Sequence, residues 1–315
     1  MLPIPGLTRT DDEAPRGCGR FAPSPTGPLH FGSLIAALAS WLDARARRQR
    51  WLVRIEDLDR PRTVPGAEDR ILRTLERFGL LWDGRLLRQS ERDAAHREAF
   101  ERLRAGGHVY GCACSRKEIR ELAHAGIEGP VYPGTCRNGL PTGREARAWR
   151  LRLPEDCVIA FEDRLHGLQR QHLNRDVGDF VVLRADGLFA YQLAVVVDDA
   201  FQGVTSVVRG ADLLASTPRQ ILLQRLLGLP TPEYLHVPLA TTPEGEKLAK
   251  QHQSTPLDEA PVVPTLIRAL DFLGQPLPEG ATEATAPELL HHAVSHWAPD
   301  RIPRQTAIPV SRTLP

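Results

Sequence analysis

The sequence predicts an α/β protein built on a nucleotide-binding βαβ unit, interrupted by a cysteine-bearing α/β insertion and followed by a short C-terminal helical segment. Three observations carry this prediction. A short apolar strand ending at Arg20-Phe21 passes through Ala22-Pro23-Ser24-Pro25-Thr26-Gly27-Pro28 and enters an apolar-faced helix. Further apolar runs end in charge, at Ile55-Glu56-Asp57 and at Val208-Arg209-Gly210-Ala211-Asp212. An open α/β sheet places its ligand groups at such strand ends. Finally, Cys112, Cys114 and Cys136 cluster in the middle of the chain.

At 315 residues the chain can form one large or two medium domains. With 42% hydrophobic and 25% charged residues it has the balance of a globular protein, and a net charge of +1 leaves no global basic field. Only Lys117, Lys247 and Lys250 are lysines among 40 basic residues, so the pair three residues apart stands out. No run approaches the roughly 20 apolar residues of a spanning helix, so no membrane partner is expected. Residues 1–18 carry Asp11, Asp12 and Glu13 and no apolar core, and read as a flexible extension rather than a signal peptide. The 5 cysteines, an odd number with three clustered, argue against a disulfide framework and for a metal site in a reducing, cytoplasmic compartment.

The first helix shows its apolar face as Leu34, Ile35, Leu38, Trp41 and Leu42. Its N-terminus offers free N–H groups and a positive dipole end to a phosphate. His30 can donate to phosphate oxygens, Gly32 permits close approach, and the Ser33 hydroxyl can donate to the nucleotide or cap the helix. The plain alternative is a tight turn with a capped helix. Trp51–Ile55 reads as a strand, and Glu56 to Arg62 as ligand rim or as a polar loop paired with its own arginines. Ala67–Phe78 is an amphipathic helix ended by Gly79. A second helix begins at Gln89-Ser90-Glu91-Arg92, with Ser90 as its N-cap, and is broken by Gly106-Gly107.

Three thiols in a Cys-x-Cys plus distant Cys pattern suit tetrahedral zinc, with His108, His124 and Tyr132 as local candidates for a fourth ligand. The alternative is three unligated buried thiols. Ala148–Phe161 alternates as strands, His166-Gly167 turns, and this segment is expected to complete the insertion. Asp179–Arg184 is a strand, Ala190–Asp199 a buried segment of open type, Val204–Val208 a strand, and Ile221–Leu227 a helix closed by Gly228. Helical patterns recur near Thr265–Phe272 and Pro287–Trp297. The expected divisions are 1–18, 19–107, 108–175, 176–250 and 251–315.

The string R-F-A-P-S-P-T-G-x-L-H-x-G resembles the glutamyl branch of the class I aminoacyl-tRNA synthetases. His30-Phe31-Gly32-Ser33 stands where that class has its HIGH signature, with Phe31 for Ile and Ser33 for the second His. R-I-E-D-L-D-x-x-R from Arg54 to Arg62 is similar to the same branch, and Lys247-Leu248-Ala249-Lys250-Gln251 resembles the KMSKS loop. The cysteine segment resembles the zinc-bearing insertion of shortened glutamyl enzymes, in which a Tyr is the fourth ligand.

This resemblance, over about residues 18 to 255, implies a Rossmann-type catalytic domain that activates L-glutamate with ATP and Mg²⁺. It implies catalytic roles for His30 and Lys250. Glutamate contacts fall on Arg20, Ala22, Ser24, Glu56, Tyr191 and Arg209, and ATP contacts on His30, Gly32, Ser33, Lys247 and Lys250. One structural Zn²⁺ falls to Cys112, Cys114, Tyr132 and Cys136. Arg20 and Arg209 together would select glutamate over glutamine by charge. The span after Gln251 is too short for an anticodon-binding domain. The chain is therefore expected to act, as a monomer, like the shortened members that esterify glutamate onto the queuosine of the tRNA(Asp) anticodon. The alternatives are a truncated enzyme charging a tRNA 3′ end and a non-catalytic zinc-containing RNA-binding paralogue.

Overall fold

The computed structural model describes residues 17–245 and 256–310. Residues 1–16 of the expected extension, and Glu246–Gln251 with Lys247 and Lys250, lie outside the described residues. β1 (Cys18–Phe21) leads through the proline-rich turn into α1 (Phe31–Ala46), and β2 (Arg50–Ile55) returns parallel to β1 with Arg20 opposite Leu52. That is the predicted half-unit. α2 (Ala67–Arg77) buries Ile71 and Leu75, and Gly79 leaves it with φ 75°, a backbone angle that favours glycine.

β3 (Leu87–Arg88) and α3 (Asp93–Ala105) follow. Here the expected cap is corrected: Gln89–Glu91 is a 3₁₀ turn, α3 starts at Asp93, and Ser90 does not cap it. Ser90 donates its N–H and hydroxyl to the Asp57 carboxylate at 2.8 and 2.5 Å. A charge-assisted bond to a carboxylate is stronger than a neutral helix cap.

β4 (Val109–Cys112), α4 (Arg116–Leu122) and the hairpin β5 (Ala125–Gly126) and β6 (Gly129–Pro130) surround the cysteine cluster. β7 (Ala148–Leu151), β8 (Val158–Asp163), β9 (Gly167–His172), α5 (Leu173–Asp176) and β10 (Val181–Leu183) come next. The buried segment after Gly187 is a helix, α6 (Tyr191–Phe201), before β11 (Ser206–Gly210) and α7 (Thr217–Leu227). β12 (Glu233–Val237) and β13 (Leu239–Thr241) are unanticipated strands. α8 (Val262–Phe272), α9 (Ala286–Ser295) and β14 (Ala307–Pro309) complete the described chain.

Among the described residues the main sheet has 7 strands in the order β3-β2-β1-β11-β12-β8-β9, parallel except for the last pair. A smaller antiparallel sheet runs β10-β7-β4. The segment expected to complete the insertion therefore divides. β7 joins the small sheet, while β8 meets β12 at Tyr234 opposite Asp163 and carries its hairpin onto the main sheet.

Side chains alternate across a strand, and that alternation sorts the main sheet into two faces. Phe21, Trp51, Val53, Ile55, Val208, Leu235 and Val237 pack with α1, α8 and α9. Leu52, Val207, Tyr234 and Ile159 pack with α3, α6 and α7. The second face also carries Arg20, Arg54, Arg209, His236 and Asp163, all buried. Asp199 of α6 answers two of them: its carboxylate lies 3.2 Å from Arg20 Nε and 2.7 Å from Arg54 Nη1. Glu56 adds a contact at 3.3 Å to Arg54. No helix of the described chain is long and apolar enough to cross a membrane.

The Arg54 side chain is 0% exposed and that of Arg20 3%, so removing Asp199 takes the shared anion from two buried cations and leaves only the 3.3 Å contact of Glu56 to Arg54. Asp199→Ala is expected to cost about 3–5 kcal/mol of unfolding free energy in urea titrations, well above the effect of a surface carboxylate.

Candidate active site

The predicted ligand residues converge at the C-terminal ends of β1, β2 and β11. Arg20 and Arg209 lie on one sheet face because Gly19 pairs with Ser206, which sets Arg20 level with Val207 and two residues short of Arg209. Tyr191, at the start of α6, closes over that face. Burial raises the Tyr191 phenol pKa most, Arg209 and Arg20 pull it back, and Glu56 and Asp199 push it further. All four charges thus act on one hydroxyl. Burial also raises the Glu56 carboxyl, against the pull of Arg54 and Arg20. For Asp199 burial is outweighed by Arg20 and Arg54, and its carboxyl is held low.

The turn after β1 is tied to the same rim. Glu56 N–H donates to the Pro23 carbonyl at 3.0 Å, which fixes the backbone between half-buried Ala22 and exposed Ser24 beside Glu56. His30, not Ser33, caps α1. Its Nδ1 accepts Ser33 N–H at 3.3 Å, and Nε2 lies 3.2 Å from Ser33 Oγ. Gly32 is the second residue of α1, whose first turn carries no acidic side chain, so the helix end stays favourable to an anion.

Arg209 is held by residues the sequence did not single out. Its Nε donates to His236 Nε2 at 3.0 Å and its Nη2 to Thr217 Oγ1 at 2.8 Å. Nη1 is buried and has no hydrogen-bond partner among the described residues. His236 Nδ1 lies 2.7 Å from Asp163 Oδ2. Burial lowers the His236 pKa to about 4, partly countered by Asp163. Burial opposes ionisation of Asp163, but bonds from His236 and from the His166 and Leu165 N–H groups hold its carboxyl below the usual range. The signal for His236 was present: Glu233-Tyr234-Leu235-His236-Val237 alternates as a strand, with Tyr234 and His236 on one face. Asp199 closes the apolar run of α6, and only its helical geometry turns it toward Arg20.

The cysteine cluster forms a separate small core with Tyr110, Ala113 and Tyr132. The Sγ atoms of Cys112, Cys114 and Cys136 all lie within 4.8 Å of one another, and Cys114 and Cys136 are 3.6 Å apart. The Tyr132 hydroxyl is 3.4 Å from Cys112 Sγ and 3.6 Å from Cys114 Sγ. A tetrahedron with metal–sulfur bonds of ~2.3 Å needs ligand separations of roughly 3.8 Å, so these residues fit a metal ion. Of the other candidates, exposed His124 points its Nε2 at the Arg175 carbonyl, 2.9 Å away, and His108 is not part of the group. Arg150 stacks on Tyr132 with its guanidinium carbon 3.8 Å from the ring centre, placing a positive charge beside the thiols.

A class I synthetase catalytic fold with a charged rim at its strand ends is what this geometry defines. The family described as tRNA synthetases class I (E and Q), catalytic domain, matches residues 18–277, and the chain belongs to that family. Within it the chain is 60% identical over 292 residues to the Glutamyl-Q tRNA(Asp) synthetase of Dechloromonas aromatica, covering 92% of this chain and 97% of that one. It is 57% identical to the protein of that name from Thiobacillus denitrificans, over 93% and 98% of the two chains. Among solved structures, the glutamate tRNA ligase of Elizabethkingia meningosepticum shares the fold with a TM-score of 0.76 at 23% identity; the match covers 92% of this chain and 66% of that longer one. The glutamate-tRNA synthetase of Elizabethkingia anophelis gives a TM-score of 0.77 at 24% identity.

A buried histidine whose pKa falls to about 4, against an ordinary value near 6.5, binds its proton more weakly folded than unfolded. The unfolded state therefore gains protons first as pH drops, and stability is lost between about pH 6.5 and 4. His236 is expected to account for about 2 kcal/mol of lost stability between pH 7 and pH 5. Urea unfolding at the two pH values checks this, with His236→Gln, which cannot titrate, lacking the step.

Proposed function

We propose that this chain activates L-glutamate with ATP and transfers it to the queuosine of tRNA(Asp). What carries the reading is its 60% identity, over nearly full length, to a protein named for that activity. The rim supports it, with two buried arginines, a half-buried Tyr and a buried carboxylate brought together at the strand ends.

In this proposal the γ-carboxylate of glutamate sits against the free Nη1 of Arg209, with Arg20 adding charge and Tyr191 its hydroxyl. Glu56 takes the α-ammonium, whose positive charge offsets the burial that raises its own pKa. Ala22 and Ser24, on the turn tied to Glu56, would flank the same substrate. The triphosphate lies over the α1 N-terminus, near His30, Gly32 and Ser33. A glutamate α-carboxylate oxygen attacks the α-phosphorus of ATP, the bond to the bridging oxygen breaks, and pyrophosphate leaves. Lys247 and Lys250 are assigned to the phosphates, Lys250 meeting the charge that builds there. When bound, Mg²⁺ supplies charge neutralisation on the phosphates. A hydroxyl of the queuosine cyclopentene diol then attacks the acyl carbon and displaces AMP. This diol resembles the vicinal diol of a terminal ribose, so one site geometry serves both. Cys112, Cys114, Tyr132 and Cys136 would hold a structural Zn²⁺, which braces their module and takes no part in the chemistry. The enzyme acts as a monomer in the cytoplasm, where ATP and tRNA are available.

Glutamate-dependent pyrophosphate–ATP exchange is expected for the purified protein and should vanish in Lys250→Ala. Radiolabelled glutamate should pass to tRNA(Asp) carrying queuosine and not to the unmodified tRNA; label on tRNA(Glu) would overturn the acceptor. Arg209→Ala should raise KM for glutamate ten- to hundredfold, since a hydrogen bond to a charged group is worth about 1.5–3 kcal/mol. Elemental analysis should find about one zinc per chain, lost in Cys136→Ser together with several degrees of Tm while exchange persists at a reduced level.

A further inference from the structure

We infer that Asp163 and His236 form a tautomer lock that aims Arg209 at the substrate carboxylate, which makes them positioning residues for glutamate selection. The inference rests on the assignment of Arg209 to that carboxylate. Arginine has five N–H donors and no acceptor. Whatever faces Arg209 Nε must therefore offer a lone pair, and at 3.0 Å that group is His236 Nε2. The His236 proton consequently resides on Nδ1, where it is donated to Asp163 Oδ2 at 2.7 Å. Asp163 Oδ1 is fixed in turn by the N–H groups of Leu165 and His166 at 3.0 and 2.9 Å. Each link allows one direction of donation only, from backbone N–H to Asp163, from His236 to Asp163, and from Arg209 to His236.

The lock determines which side of the guanidinium is spent. Nε and Nη2 form one fork, and the protein fills it with His236 and Thr217. Nη1 remains, buried and without a partner among the described residues, as the donor left for a ligand. The cation is held by a neutral ring rather than by a carboxylate, so its charge is not cancelled before substrate arrives. An arginine paired directly with an acid would offer less to an incoming anion. The groups facing His236 are Asp163 from the end of β8, Arg209 from β11, Thr217 from α7, the Tyr234 ring on its own strand, and His166, whose Nε2 lies 3.0 Å from the His236 carbonyl.

The test is steady-state pyrophosphate exchange with the full chain, with glutamate and ATP varied separately. His236→Phe keeps the volume and removes the acceptor; it is expected to raise KM for glutamate at least tenfold while KM for ATP moves less than twofold. His236→Gln, whose carbonyl can accept from Arg209, should return KM for glutamate to within about threefold of the wild type. Asp163→Asn is the sharper variant. The two backbone N–H groups hold the Asn oxygen, its NH₂ is turned to Nδ1, and the proton moves to Nε2 against Arg209. It should match His236→Phe, yet add nothing in the double variant with His236→Gln. On the unmutated protein, ¹⁵N–¹H NMR of the histidine rings should show His236 protonated at Nδ1, which requires no variant to fold. Protonation at Nε2, or a glutamate KM within twofold of wild type in His236→Phe, overturns the lock. An unchanged glutamate KM in Arg209→Ala would overturn the underlying site assignment instead.

Discussion

The carboxylate of Asp199, held between Arg20 and Arg54, is the contact from which the rest of the site follows. It joins α6 to β1 and β2 at once, and among the described residues it is the anion in direct contact with Arg20, with Glu56 acting from further off. Because Tyr191 begins the same helix, fixing Asp199 also fixes the hydroxyl over the sheet. The preceding residue, Asp198, serves the opposite neighbour. It receives Gln89 at 3.1 Å and Arg92 at 3.1 Å, lies 3.0 Å from His96 Nε2, and so fastens α3. Two adjacent carboxylates on one helix thus tie down two sides of the fold, and each would be costly to bury without its cations.

The two arginines of the rim are supported by different means, and the difference has chemical weight. Arg20 shares an anion with Arg54, whereas Arg209 leans on a neutral imidazole and a hydroxyl. Arg209 is therefore buried with, among the described residues, one nitrogen unspent, a position that strongly favours an anion of matching shape. Nearby, Glu56 sits where burial disfavours its charge, and a cation brought by substrate would relieve that. A zwitterionic amino acid with an acidic side chain answers both needs.

The thiol cluster is organised independently of this. It has its own small core with Tyr110 and Tyr132, and Arg150 stacks on Tyr132. Its spacing was readable because a side-chain cluster of this kind is local in sequence: Cys112 and Cys114 flank one residue, and Tyr132 and Cys136 lie one short turn apart. That Tyr132, and not His108 or His124, lies among the thiols was not readable from spacing. It depends on which side chain the turn directs inward, and His124 is drawn away by a backbone carbonyl.

Sequence alone determined the βαβ unit, the helix at the phosphate-favouring turn and the charged strand ends that carry Arg20, Glu56 and Arg209. These rest on short-range periodicity and turn chemistry, which a local window contains. Tertiary structure alone decided that α6 is a helix, since a short buried apolar run has no face to reveal its period. It also decided that β12 lies between β11 and β8, and this adjacency brings His236 and Asp163 to Arg209 from 27 and 46 residues away. Strand order in a parallel sheet is set by how helices cover its two faces. That is a property of the packed whole, and no single stretch of the chain encodes it.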